Sequence, residues 1–271
     1  MIAADPHSVE WLETNGAGSY ALSTVCGRND RRYHGLLVAA LKPPVARHVL
    51  LSKIDEEVEV GVKHELATNA YRDVIHPQGF RWIASSARDP FPRITWRVPG
   101  AVLEKTVAMI RGERSVAVRY RLIEGAHARL VVRPLTAFRP DHQLSRSRPG
   151  FDKPIEWAPG RATIRPVAEL PELHFNYSDG EILPGHSWYF NFKYETEKAR
   201  GLDFVEDLHN PFAVAFELEA GRDAWVVASL DRTKLDGVPA LVSQESERRR
   251  TLAVFKDRSL DLLALAGDAF W

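Results

Sequence analysis

Leu103-Glu104-Lys105-Thr106-Val107-Ala108-Met109, then Arg111-Gly112-Glu113-Arg114, then Ser115-Val116-Ala117-Val118-Arg119-Tyr120-Arg121-Leu122, is the stretch that decides the fold class. The last run alternates, with Val116, Val118, Tyr120 and Leu122 on one side. That period of two belongs to a strand with one buried face. The first run alternates in part, and the charged, glycine-containing tetrapeptide between them predicts a hairpin turn.

The same texture recurs outward from this hairpin. Residues 129–135, 188–194, 213–219 and 225–230 predict further strands, and 36–41 with 49–54 predict an early pair joined through Lys42-Pro43-Pro44. Seventeen Gly and seventeen Pro punctuate the chain at short intervals, and helical period is almost missing before residue 240. So many short strands predict a mainly β chain, a large antiparallel two-sheet β-sandwich; a small barrel needs fewer. Residues 139–160, rich in Arg, Ser, Pro and Gly, and residues 179–185 are expected as loops. No internal repeat or low-complexity tract interrupts the pattern.

The end of the chain changes character. Residues 239–255 predict a helix with Gln244, Glu245, Glu247 and three Arg on an exposed face. Residues 259–271 predict a second helix with Ser259 as its cap. That helix is too apolar to stand alone in water, so either the sandwich or a following domain must cover it.

Composition narrows the function classes. An apolar fraction of 45% with 27% charged residues fits an ordinary globular protein, and 271 residues are ample for a sizeable core. Lys plus Arg equals Asp plus Glu at 36 each, so no long-range field selects a nucleic acid. Cys26 is the only cysteine, which excludes an intrachain disulfide and leads to an expectation of the reducing cytoplasm. Asp5, Glu10 and Glu13 break up the first 20 residues, so no secretory signal is expected. No apolar run approaches the ~18 residues of a membrane span.

The chemistry-bearing residues concentrate early, in Trp11-Leu12-Glu13-Thr14-Asn15-Gly16-Ala17-Gly18-Ser19-Tyr20 and in Arg31-Arg32-Tyr33-His34-Gly35. Arginine forks suit carboxylates, phosphates or paired sugar hydroxyls, and histidine both donates and accepts at neutral pH. Asn15, Arg31, Arg32, Tyr33 and His34 are therefore candidates for substrate binding or for a domain interface. If the Arg pair is extended, its members point to opposite faces and one must pair with a carboxylate. For Asn15 the alternative is a plain structural turn. Trp188, Tyr189 and Trp225 are expected in the core; Trp11, Trp82, Trp96 and Trp157, flanked by polar or turn residues, are expected as partly exposed rings. No H-E-x-x-H, clustered Cys/His or G-x-S-x-G pattern occurs, so no metal, cofactor or serine nucleophile is expected.

The motif resembles the amino-terminal domain of bacterial and archaeal glycogen debranching enzymes (amylo-α-1,6-glucosidases), whose hallmark runs roughly W-L-x-T-N-G-x-G-x-Y-A and then T-R-R-Y-H-G-L-L-V-A. Further blocks fit: Arg47-His48-Val49-Leu50-Leu51-Ser52-Lys53-Ile54-Asp55-Glu56, Arg133-Pro134-Leu135, Arg139 to His142, Tyr194-Glu195, Arg200-Gly201-Leu202-Asp203 and Glu206-Asp207-Leu208. Ser19 stands where Gly is usual, and Asp30 where Thr is usual. The resemblance implies a supersandwich of the kind that precedes helical (α/α)6 toroid glycosidases. It implies an enzyme acting on α-1,6 branch points of α-glucans, with a glucanotransferase step in some members. Residues 1–238 would form the sandwich, and 239–271 a helical linker and the start of a catalytic domain. The catalytic acids belong to that helical domain, so no residue here is assigned a catalytic role. Two alternatives stand beside this one: a stand-alone mutarotase-like sugar epimerase using His174, His186 and Glu195, and a carbohydrate-binding module.

Overall fold

Strand alternation at residues 115–122 becomes a two-layer core. In a computed structural model, which describes residues 9–151, 153–252, 254–255 and 257–269, Val116, Val118, Tyr120 and Leu122 are all buried and face the opposite sheet. The strands in chain order are β1 (Glu10–Thr14), β2 (Tyr20–Thr24), β3 (Gly35–Lys42), β4 (Val45–Val60), β5 (Val62–Glu65), β6 (Thr68–Ala70), β7 (Ile75–Gln78), β8 (Ile83–Ala87) and β9 (Arg93–Val98). They continue as β10 (Ala101–Met109), β11 (Ser115–Glu124), β12 (His127–Pro140), β13 (Glu156–Ala158), β14 (Arg161–Ile164), β15 (Leu173–Tyr177), β16 (Glu181–Lys193), β17 (Val205–Glu219) and β18 (Asp223–Ser229). Three helices follow the same numbering: α1 (Glu195–Ala199), α2 (Val238–Leu252) and α3 (Arg258–Ala269).

The first sheet runs β1-β2-β3-β4-β12-β17-β16, with β5 paired to β4; the second runs β13-β14-β15-β18-β11-β10-β9-β8. β6 and β7 form a small separate pair. Adjacent strands in both sheets pair antiparallel, and the inner faces meet in one continuous core. The chain is thus the mainly β, two-sheet antiparallel sandwich with terminal helices that its patterning predicts. Each large apolar side chain buried there contributes roughly 1.5–3 kcal/mol.

Part of each outer face is covered too. Val38, Val49, Leu135, Ala137, Phe192, Tyr194 and Leu208 cluster on the first sheet's outer face. On the second, Ile110, Ala117, Trp225 and Val227 pack with Val238 at the start of α2.

Several expectations change in detail. Residues 181–185 are strand, because β16 is the edge of its sheet, where Pro184 lacks only an unneeded N–H. A register shift beside Pro184 absorbs the local irregularity. The long loop is shorter than 139–160, since β12 runs on to Pro140 and β13 begins at Glu156. Ser259 lies inside α3; the Asp257 carboxylate accepts its N–H at 2.7 Å and acts as the cap. Phe270 and Trp271, expected to end that helix, lie outside the described residues. Trp11 and Trp96 are buried, each 4% exposed, because their strands turn them inward between more exposed neighbours. Trp157 is exposed and Trp82 half-buried. Trp225 is buried, while Trp188 and Tyr189 are half-buried.

Candidate functional site

The Arg31-Arg32-Tyr33-His34 segment is a turn, closed by a bond from the His34 N–H to the Arg31 carbonyl at 3.0 Å. Because it is not extended, both arginines reach carboxylates. Arg31 Nε lies 2.6 Å from Glu10 Oε1. His34 is fully buried: its Nδ1 accepts from the Asp30 N–H at 3.0 Å, which leaves Nε2–H to donate to Glu10 at 3.1 Å. That bond, with help from Arg31, lowers the Glu10 carboxyl to about 2 against the opposing effect of burial.

A carboxyl lowered by folding adds stability above its unfolded pKa of about 4.3, and the gain is lost as pH falls through the folded value. Glu10→Gln is therefore expected to cost on the order of 1–2 kcal/mol at pH 7, discounted because a third of the side chain is solvated. The difference from the unmodified chain should shrink between pH 4.5 and pH 2, as read by urea unfolding at stepped pH.

Arg32 faces the other way. Its backbone N–H donates to Glu197 Oε1 at 3.3 Å, its Nε stands 3.7 Å from Oε2, and its Nη1 donates to the His142 carbonyl at 3.1 Å. Its guanidinium lies 5.2 Å from the Tyr33 ring centre, and the Tyr33 hydroxyl meets His142 Nδ1 at 3.1 Å. Glu197 sits fully buried on α1, whose Thr196 N–H binds the Asp30 carbonyl at 3.1 Å.

Behind this turn lies a closed ionic cluster. Arg139 donates from Nη2 to Glu206 Oε2 at 2.9 Å and to the Arg32 carbonyl at 2.9 Å, and its Nε also binds Glu206. The Tyr194 hydroxyl and the Ser145 N–H, the latter at 2.8 Å, complete the Glu206 carboxylate. Burial opposes the Arg139 charge, and Glu206 more than offsets it. Burial, then Glu206, pushes the Tyr194 phenol far above its usual range. Asp207 holds the segment that follows β12 through the Ser147 N–H at 3.0 Å and binds the Asn191 N–H at 2.8 Å. Sequence blocks around 31–34, 139–142 and 194–207 thus meet at one place.

Asn15 is brought elsewhere. Its carbonyl oxygen accepts from Ala17 and Ser19 N–H at 2.8 and 3.0 Å, and its amide donates to the Glu113 carbonyl at 2.9 Å. It builds the turn between β1 and β2 and ties it to the β10–β11 hairpin. Ser19 adds an acceptor for the Ala40 N–H at 2.9 Å, a bond that Gly lacks.

Two buried polar groupings escaped the sequence. Lys53 Nζ reaches the Thr68 carbonyl at 2.9 Å and Asp55 at 3.1 Å, and Asn69 binds both side chains, donating to Asp55 at 2.7 Å. Between the sheets, Glu56 takes Lys105 at 2.5 Å and the Tyr120 hydroxyl at 2.7 Å. The only signal was a charge at an inward position of a strand pattern. His174, His186 and Glu195 are not drawn together: His174 meets Thr163 at 2.9 Å, the His186 ring lies 5.9 Å from that of His209, and Glu195 pairs with Lys193 at 2.6 Å. Among the described residues no group of three His, Cys, Asp or Glu is placed to hold a metal ion, and no helix is long and apolar enough to cross a membrane.

Residues 9–225 match the family model for the glycogen debranching enzyme N terminal, which is most of the chain, and the chain belongs to that family. No curated protein matches it. Among solved structures it is similar to a bacterial glucoamylase complexed with acarbose, at 8% identity and a TM-score of 0.38, over 99% of this chain. The chain spans 38% of the length of that glucoamylase.

Proposed function

We propose that this chain is the noncatalytic β-sandwich of a cytoplasmic debranching enzyme acting on α-1,6 branch points of glycogen and related α-glucans. In this reading residues 1–238 are the scaffold, and 239–271 lead into a helical domain that carries the catalytic acids. The observation that carries it is the convergence of the family blocks into a closed set of charge pairs. Glu10, Glu197 and Glu206 each face a guanidinium. Glycoside hydrolysis instead needs two carboxyl groups facing a scissile bond across a gap of roughly 5–9.5 Å. Arg31 and Tyr33, half-buried at the rim of the turn, remain able to touch a partner domain or its substrate.

α3 supports a docked neighbour. Arg248 and Arg111 hold its Asp268 at 2.6 and 3.3 Å, yet its Leu260, Leu262 and Leu263 stand 47–67% exposed. Leucines in that arrangement gain by being covered. The test is glucose release from a branched dextrin by the purified chain. None is expected, and turnover that survives repurification and tracks the protein peak would overturn the reading.

A further inference from the structure

A cleft of about 380 Å³ opens beside the Asn15 turn, on the outer face of the first sheet. Alternation along β1 turns Trp11 and Glu13 inward, so Leu12 and Thr14 face out, and the register sets them opposite Leu22 and Tyr20. Pro44 and Arg47, from the β3–β4 hairpin, form the facing wall.

Arg47 is held but not saturated. Its Nε donates to the Gly18 carbonyl at 2.8 Å, and its guanidinium carbon lies 6.0 Å from the Tyr20 ring centre. Its two terminal nitrogens make no hydrogen bond or ion pair among the described residues. Tyr20 is fixed in turn, because its hydroxyl donates to the Tyr33 carbonyl at 3.2 Å. The cleft therefore joins an immobilised aromatic ring, an apolar floor and a planar fork with open donors. Its volume falls in the range of small-molecule sites.

One guanidinium among apolar walls suits a neutral ring with adjacent hydroxyls better than a phosphate, since Arg31 and Arg32 are engaged elsewhere. We propose that this cleft is a glucosyl-binding subsite that takes one or two residues of an α-glucan chain. The choice of sugar rests on the debranching reading; the geometry of the site does not. The subsite would hold a glucan branch on the scaffold while the reaction proceeds elsewhere.

The whole chain is run through native gels containing glycogen and titrated calorimetrically with maltoheptaose and, separately, cellohexaose. Arg47→Lys keeps the charge and removes the fork; Ala17→Trp fills the cleft from a lining position. Retardation by glycogen, relieved by maltoheptaose, is expected for the unmodified chain, with a loss of ~5-fold or more in either variant at an unchanged thermal midpoint. If Ala17→Trp lowers the midpoint, Arg47→Lys decides alone. No retardation of the unmodified chain, or full retention in Arg47→Lys, overturns the subsite. Equal binding of cellohexaose would keep the cleft as a sugar site and remove the debranching assignment instead.

Discussion

Arg139→Met is expected to lower stability by about 3–5 kcal/mol, because it leaves a buried carboxylate without its counter-charge. Glu206 is fully buried and Arg139 is 4% exposed, so no solvent reaches the orphaned group. The Ser145 N–H and the Tyr194 hydroxyl remain as donors but carry no charge. The loss should appear as a lower urea midpoint at constant slope. Adding Glu206→Gln to Arg139→Met should recover a substantial part, since the amide removes the buried charge, its one oxygen accepts from the Ser145 N–H, and its NH2 donates to the Tyr194 hydroxyl oxygen. An unchanged midpoint in Arg139→Met would contradict the pairing.

Gly18→Ala should be almost as severe, on the order of 3 kcal/mol, and for a different reason. Gly18 sits at φ +91°, and a Cβ there would lie 2.5 Å from the Pro44 carbonyl oxygen and 2.6 Å from its Cα. Both are backbone atoms of the facing hairpin, so neither can swing aside. Gly27→Ala is the control: its φ is +73°, but an added Cβ meets nothing within 4 Å. That change should cost only about 1 kcal/mol of left-handed strain. Thermal unfolding of the two variants separates steric exclusion from conformational strain, and equal losses would rule the Pro44 contact unimportant.

The sandwich was legible because its strands obey a local rule. Val116, Val118, Tyr120 and Leu122 need only a period of two to be placed on one face. Partner choice is not local, and there sequence reading stops. Nothing in the pattern says that Lys105 on β10 reaches Glu56 on β4, 49 positions away. The same limit explains Trp11, which looks exposed beside Glu10 and Glu13 but points into the core with its Nε1–H on the Thr24 carbonyl at 3.2 Å. Pro184 misled differently: proline breaks a central strand, and only the assembled sheet reveals that β16 lies at the edge.

The candidate site was half legible. The density of Arg, Tyr and His at 31–34 marked it, yet the sequence left open whether the Arg pair is extended; it is a turn in which Arg31 reaches Glu10 and Arg32 reaches Glu197. Arg139 and Glu206 stood in recognisable blocks, but only the fold brings both beneath the Arg32 carbonyl. Arg47, whose terminal nitrogens stay open beside the cleft, stood in a block quoted only for its fit to the family.

The central claim is that these charged blocks hold one another and thereby support the surface around them. A double-mutant cycle on Arg139 and Glu206, with glycogen retention followed in all four proteins at a temperature where each is folded, tests it most directly. A coupling of roughly 2–3 kcal/mol with unchanged retention is the predicted result. Losses that add to within about 0.5 kcal/mol, with retention abolished, would mean that these residues meet the glucan and not each other.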